Sequence, residues 1–304
     1  MNRKIIKGIL NKKLNDWTST IEDPIVQELA RKNTIVTGGA IASLLLGEEV
    51  KDFDLYFKNK ETTLAIANYY VNNFNDSKKS KIAEVKCVTD LMGEDRVKIV
   101  ISSRGVAVED GKESVLESPF EDAVQTLSDA DHVDAKLSDT EGDIQKSYRP
   151  VFLSSNAITL SDKIQLVVRF FGDADQVHKS YDFVHCTNWF DYGSKELILK
   201  AEALECLINK ELKYQGSRYP VCSVIRTRKF IQRGFHINAG SYLKMCFQIS
   251  NLDLNNIEVL EDQLIGVDSA YFSMLIDALK SKQESDPNFR VDSGYLASLI
   301  DKIF

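Results

Sequence analysis

The segment Thr37–Phe57, TGGAIASLLLGEEVKDFDLYF, restricts what this chain can fold into more than any other. Gly38-Gly39 opens a short apolar run with helical spacing, Ala40–Leu46. A charged connection follows, and Asp52-Phe53-Asp54 then leads an apolar run of strand character. Glycine admits backbone dihedrals closed to other residues, so a Gly-Gly turn lets main-chain N–H groups approach an anion closely. The N-terminus of a helix presents such groups together with the positive end of its dipole. Side chains alternate across a strand, which puts Asp52 and Asp54 on one face and Phe53 on the other. Two carboxylates about 7 Å apart on one strand can grip divalent cations jointly. A phosphate cradle and paired metal ligands so close in sequence suit the transfer of a nucleotidyl group.

Gly38-Gly39 followed by Lys51-Asp52-Phe53-Asp54-Leu55 resembles the signature of the nucleotidyltransferase superfamily that includes DNA polymerase β, poly(A) polymerases and CCA-adding enzymes. The run GGAIASLLLG is most similar to CCA-adding enzymes, in which an Arg-Asp pair and Leu-Leu-Gly follow the glycines. This chain has Ala42 and Ser43 at the pair's positions, a departure from CCA addition within the same superfamily. The resemblance implies an α+β fold: a nucleotidyltransferase-type mixed β-sheet domain over 1–191, then an all-helical domain over 192–304 that holds nucleotide and acceptor. It implies Mg²⁺ or Mn²⁺ as cofactor and a nucleoside triphosphate as substrate. Asp52 and Asp54 become catalytic metal ligands, with Gly38, Gly39 and, more weakly, Ser43 on the nucleotide.

Composition narrows the class. A chain of 304 residues with 43% hydrophobic and 27% charged residues can bury an ample core. No apolar run is long enough to cross a bilayer, and the basic start lacks a secretory core and cleavage site, so a cytoplasmic protein (host cytoplasm, if viral) is expected. Cys87, Cys186, Cys206, Cys222 and Cys246 are scattered and odd in number, which reads as reduced thiols rather than disulfides or structural zinc. A formal net charge of −7 argues against coating long nucleic acid, because such binding draws on many Lys and Arg. It leaves room for a local grip on one RNA end.

Along the chain, residues 1–35 read as helical, with an apolar stripe at Ile5, Ile9, Leu14, Ile25 and Leu29. Thr34–Thr37 reads as a strand, Glu61–Phe74 as an amphipathic helix, and Glu84–Thr89 and Arg96–Ser102 as strands. The acidic stretch 105–146 reads as a surface insertion with one short helix near Phe120–Leu127. Beyond Asp191, helical patterns cover Glu196–Leu212, Cys222–Gly234, Ser241–Ile249, Ile257–Leu264, Ser269–Lys280 and Asp292–Ile303.

Two-metal transfer draws on further carboxylates. The next strand pattern offers Lys98 where an acid is wanted. Farther on, Ile164–Phe170 reads as a strand, Gly172–Ser180 as a short helix capped by Asp173, and Tyr181–Cys186 as a second strand whose only acid is Asp182. This series resembles a viral branch of nucleotidyltransferase-like proteins, and by that resemblance Asp182 completes a catalytic and metal-binding triad with Asp52 and Asp54. Read from residues alone, capping of a strand or pairing with Arg169 stays open for Asp182. His185 is expected in core packing or bonded to a backbone carbonyl, and Cys186 as a strand hydrophobe.

The remaining candidate is Tyr214–Phe235. On a helix beginning near Ser223, Arg226, Lys229 and Arg233 share one narrow sector while Val224 and Ile231 face away. That stripe suits a triphosphate or an RNA backbone, with Tyr214 and Tyr219 placed to stack on a base; a solvated face is the alternative. The acceptor expected is an RNA 3′ end, of tRNA or another small RNA. A protein or small-molecule hydroxyl, or a degenerate binder of nucleotide or nucleic acid, stays open.

Overall fold

A computed structural model describes residues 2–78, 81–90, 93–101, 148–264 and 294. The acidic stretch 105–146 and the helices expected at Ser269–Lys280 and Asp292–Ile303 lie outside the described residues. Apart from Gly294, the described residues belong to one compact unit formed by Met1–Ser102 and Ser147–Val291.

The chain opens with helices α1 (Arg3–Ser19) and α2 (Pro24–Asn33). Asn2 caps α1 by accepting from the Ile5 N–H at 2.9 Å, and Asp23 caps α2 by accepting from Ile25 and Val26 with Pro24 at the first turn. The buried stripe of α1 is Ile6, Leu10, Leu14 and Trp17, so the face is turned slightly from the one read in the sequence: Ile5 is half-exposed and Ile25 is exposed. Trp17 decides the rotation, because its indole N–H reaches Tyr70 Oη at 2.8 Å inside the core.

Strand β1 (Thr34–Thr37) runs into the glycine turn, helix α3 (Gly39–Leu46), strand β2 (Phe53–Phe57) and helix α4 (Lys60–Lys78). A hairpin of β3 (Ala83–Thr89) and β4 (Asp95–Ile101) forms its own two-stranded sheet. This explains the missing acid at Lys98, which faces Lys86 in that hairpin: the strand expected beside β2 is in a different sheet. Strands β5 (Pro150–Leu153), β6 (Ala157–Leu160) and β7 (Ile164–Phe171) follow, then helix α5 (Ala174–His178) and the hairpin β8 (Trp189–Asp191) and β9 (Glu196–Ile198). Among the described residues seven strands form the main sheet in the order β5-β6-β7-β2-β1-β8-β9. β2 and β7 are parallel and the other neighbours antiparallel, which makes the sheet mixed and the fold α+β.

Alternation along β2 separates two environments. Phe53, Leu55 and Phe57 enter the large core with α1, α3 and α4. Tyr56 points to the other side, into a smaller cluster with Ile35, Ala174 and Val177. Asp54 shares that second side, in register with Gln165 of β7.

The sheet runs on to Ile198, past the boundary expected at residue 191, because Glu196–Ile198 pairs with β8 instead of starting a helix. Helices α6 (Ala201–Ile208), α7 (Pro220–Gln232), α8 (Ala239–Ser250) and α9 (Ile257–Leu264) follow. They close a further core in which Phe183, Leu207, Leu212, Tyr214, Phe235 and Met245 meet Ala42 of α3. No helix among the described residues is long and apolar enough to cross a membrane.

Candidate active site

The glycine turn is built by its neighbours. Gly38 takes φ 90° and ψ −146°, a region open only to glycine, immediately before α3. A Cβ there would stand 3.2 Å from Tyr181 Oη and 3.4 Å from Asp54 Oδ2. The space that a side chain at position 38 would need is therefore bordered by Tyr181 and by the second aspartate of the motif. The Gly38 N–H donates to Cys186 O at 3.2 Å, so this amide is committed to holding the turn. Gly39 is the first residue of α3, where the N–H groups of the opening turn lack intrahelical acceptors.

Asp54 is half-buried and Asp52, one residue ahead of β2, is exposed. The surroundings of Asp54 are electronegative and dry. Burial, reinforced by Asp54, raises the Tyr56 phenol above its ordinary range, and burial with Tyr56 and Asp54 does the same to Tyr181. Burial, Asp182 and Asp54 push the Cys186 thiol up to about 12. All three groups are protonated at neutral pH, and the Cys186 thiol is inert as a nucleophile.

Asp182 is not on a strand. Tyr181–Cys186 is a loop with a single bridge at Phe183 and a 3₁₀ turn over Val184–Cys186. Asp182 is 7% exposed, and Oδ2 accepts from Arg226 Nη1. Burial opposes the charge on Arg226, but the field and hydrogen bond of Asp182, together with Cys222 and Tyr56, outweigh it and hold the guanidinium pKa above its ordinary value. Arg169 pairs with Asp262 at 3.3 Å, which leaves Arg226 as the cation at Asp182.

The basic stripe is accordingly rearranged. Arg226 points inward, Lys229 is exposed, and Arg233 donates to Ser43 Oγ at 3.2 Å and bonds Glu48. Val224 and Ile231, read as facing away from the stripe, are half-exposed. Ser43 is itself buried beneath Arg233. Tyr214 and Tyr219 are each 4% exposed: Tyr214 Oη donates to Gln248 Oε1 at 2.6 Å, and Tyr219 Oη accepts from Arg169 at 3.3 Å. Neither ring offers a face to a base, because both are packed between α7 or α8 and the sheet side of the unit. His185 does enter the core, 4.6 Å from Phe230 and 4.8 Å from Phe235, but neither ring nitrogen has a hydrogen-bond partner.

The fit of a divalent cation follows from these positions. Among the described residues no group of three or more His, Cys, Asp or Glu comes together as a metal site. Asp52 and Asp54 are the carboxylates that could hold Mg²⁺, which commonly takes one or two carboxylates and completes its shell from substrate phosphates and water. The neighbours of Asp54 that sequence reasoning missed are Tyr56 and Tyr181. Their signal was the alternation that puts Tyr56 on the Asp54 face and the adjacency of Tyr181 to Asp182.

Comparisons with known proteins bear on this site. The model of the Gabija anti-defense 2 family matches residues 8–210, which include the glycine turn, both motif aspartates and Asp182. A relative described as Gabija anti-defense 2, from Bacillus phage SPbetaL7, is 24% identical over 143 residues, covering 46% of this chain and 33% of that protein. Similar solved structures include the Thermotoga maritima CCA-adding enzyme complexed with tRNA, at 13% identity and TM-score 0.37, covering 92% of this chain and 57% of that one. Another is the Bacillus stearothermophilus CCA-adding enzyme in complex with CTP, at 11% identity and TM-score 0.39, covering 83% and 47%. The chain spans about a third of the phage relative and about half of these enzymes.

Proposed function

The chain belongs to the Gabija anti-defense 2 family, and within it we propose that this protein is a metal-dependent nucleotidyltransferase: an acceptor hydroxyl oxygen bonds the α-phosphorus of a nucleoside triphosphate, the α–β phosphoanhydride bond breaks, and pyrophosphate leaves. The observation that supports the reading is that a Cβ at Gly38 would stand 3.4 Å from Asp54 Oδ2, so the residue ahead of α3 and this carboxylate are near neighbours. The triphosphate would lie against the opening turn of α3, received by the N–H groups from Gly39 onward. Asp52 and Asp54 would hold Mg²⁺ or Mn²⁺, which when bound supplies charge neutralisation on the phosphates and a lowered pKa for an attacking hydroxyl. Tyr56 and Tyr181, neutral and packed beside Asp54, fix its carboxylate and exclude water from that side. Asp182, paired with Arg226, would assist from outside the Asp52–Asp54 pair rather than complete a three-acid metal cluster, and Ser43 and Arg233 brace α3 from behind.

The acceptor proposed is an RNA 3′ end, with Lys229 and the exposed Arg228 of α7 as contacts to its backbone. The relative's name, an anti-defense protein of a phage, is compatible with modification of a small RNA of a defended host. A second reading, binding of a nucleotide without turnover, is favoured by the absence of a three-acid cluster among the described residues.

One experiment separates them. Purified protein is incubated with Mg²⁺ or Mn²⁺, each labelled ribonucleoside triphosphate, and a pool of small RNAs including tRNA. Labelled RNA that disappears with Asp52→Ala and Asp54→Asn is the expected result. Label on protein or a small molecule moves the acceptor. Triphosphate binding without any transfer, unchanged in Asp54→Asn, establishes the binder and rejects catalysis.

A further inference from the structure

Behind the glycine turn lies a closed ring of polar contacts that the proposed reaction does not use. Thr37, the residue before Gly38, is fully buried, and its Oγ1 lies 2.8 Å from His178 Nε2 and 2.9 Å from Asn188 O. His178, at the end of α5, is 5% exposed, and its Nδ1 lies 3.5 Å from Lys200 Nζ. Lys200, the residue before α6, donates its backbone N–H to Asn188 Oδ1 at 2.9 Å. Asn188, 1% exposed, closes the circuit through its carbonyl to Thr37.

Proton counting fixes the tautomer. A hydroxyl has one hydrogen, and the carbonyls of Asn188 and, at 3.4 Å, Cys186 can only accept, so Thr37 Oγ1, which also meets the Tyr181 hydroxyl, donates to the carbonyl side and accepts from His178. The Nε2 atom must then carry the ring proton. The bare Nδ1 faces the Lys200 ammonium, which donates to it and to Asp175 at 3.0 Å. Asp175 and Asp173 of the α5 cap and Lys200 at the start of α6 are the charged groups around the ring, and the Tyr181 ring lies tilted against it with centroids 5.1 Å apart. Burial, with Lys200 beside it, brings the imidazole down to about 4, so the ring is neutral across the physiological range.

We infer that His178 is a positioning residue that, as a neutral Nε2–H imidazole braced by Lys200, sets the Gly38–Gly39 turn and couples it to the first helix after the sheet. The ring spans β1, α5, the loop before β8 and the entry to α6, elements that are far apart in sequence. Thr37 and Gly38 are consecutive, and Gly38 is bonded to Cys186 two residues from Asn188, so a shift of His178 is passed to the turn through one peptide unit. The inference rests on the nucleotidyltransfer reading only for its consequence on triphosphate binding.

The test uses the full chain and two kinds of readout. Imidazole nitrogen NMR of the wild type should show the Nε2–H tautomer for His178, with no titration between pH 5.5 and 8. Lys200→Met should shift the ring's titration upward and move the amide resonances of Gly38 and Gly39. An Nδ1–H tautomer, or titration near pH 6.5 in the folded wild type, overturns the proposal. In the second readout, equilibrium binding of each ribonucleoside triphosphate with Mg²⁺, His178→Ala should weaken affinity about tenfold and His178→Gln, whose amide can donate to Thr37, should recover most of it. Equal affinity in wild type, Ala and Gln, with unfolding midpoints unchanged, also overturns it. If the wild type binds no triphosphate at all, the nucleotidyltransfer reading fails, and the NMR outcome still decides the ring.

Discussion

Arg226 of α7 and Asp182 of the loop after α5 are bonded through Nη1 and Oδ2, so the inward end of the basic stripe and the third candidate carboxylate neutralise each other. Side-chain exposure is 29% for Arg226 and 10% for Asp182, which makes the acid the more deeply buried partner. Arg226→Ala therefore strands a buried carboxylate and should cost about 2–4 kcal/mol, discounted from a fully buried pair. Asp182→Asn leaves a hydrogen bond in place and should cost less. Urea unfolding of both single variants and of the double variant gives the coupling, expected as a double variant more stable than Arg226→Ala alone.

The two glycines of the turn should respond differently. Gly38 takes a positive φ, and an added Cβ would meet Tyr181 and Asp54, so Gly38→Ala should destabilise by about 1–3 kcal/mol and weaken triphosphate binding. At Gly39 a Cβ meets nothing within 4 Å, and alanine is well suited to a first helical turn. Gly39→Ala should keep the unfolding midpoint within the range of a surface substitution. Loss of binding in Gly39→Ala without loss of stability would locate the anion at that amide.

On α7, exposure separates stability from binding. Arg233→Ala removes the donor to Ser43 Oγ and the partner of Glu48 and should lower stability by about 1–2 kcal/mol. Arg228→Ala, on the exposed face, should leave stability within about 0.5 kcal/mol. If α7 contacts an RNA backbone, Lys229→Ala combined with Arg228→Ala should reduce RNA affinity and flatten its salt dependence, as filter binding across a salt series would show.

Acid should unfold the protein through its buried histidines. Burial lowers His178 to about 4 and lowers His185, with Arg233 contributing, to about 3. Both folded values lie below that of the unfolded chain, so the unfolded state binds protons first. Their contribution is intact above about pH 6.5 and is lost as pH falls toward 4, at up to about 1.4 kcal/mol per pH unit for each ring. His185→Phe, placed among Phe183, Phe230 and Phe235, should remove one ring's share of that slope. It also deletes two buried nitrogens that have no partner, so stability at pH 7 should be equal or higher.

Legibility in the sequence followed the range of the interaction. The strand Thr34–Thr37, the glycine turn, the short helix, the strand carrying Asp54 and the capping of α5 by Asp173 are set by neighbours within a few residues, and each stands where its local pattern puts it. Position 52 fell just outside β2, a difference of one residue at a strand end. The segment Tyr181–Cys186 has strand-like composition but no place beside β1, since both sides of β1 are already taken by β2 and β8. It turns as a 3₁₀ loop instead.

What the sequence determined by itself is the chemistry available at one point: glycines that permit a phosphate-binding turn and two aspartates at alternate positions beyond it. Backbone freedom and side-chain periodicity are local properties, and they are written in consecutive residues. What only the tertiary structure decided is which groups remain for a ligand. It turned Arg226 inward to Asp182, tied Arg233 to Ser43 and Glu48, buried Tyr214 and Tyr219, and closed Thr37, His178, Lys200 and Asn188 into a ring. The reason is desolvation. A polar group withdrawn from water must find a partner, and that partner comes from whichever element packs beside it, however far away along the chain.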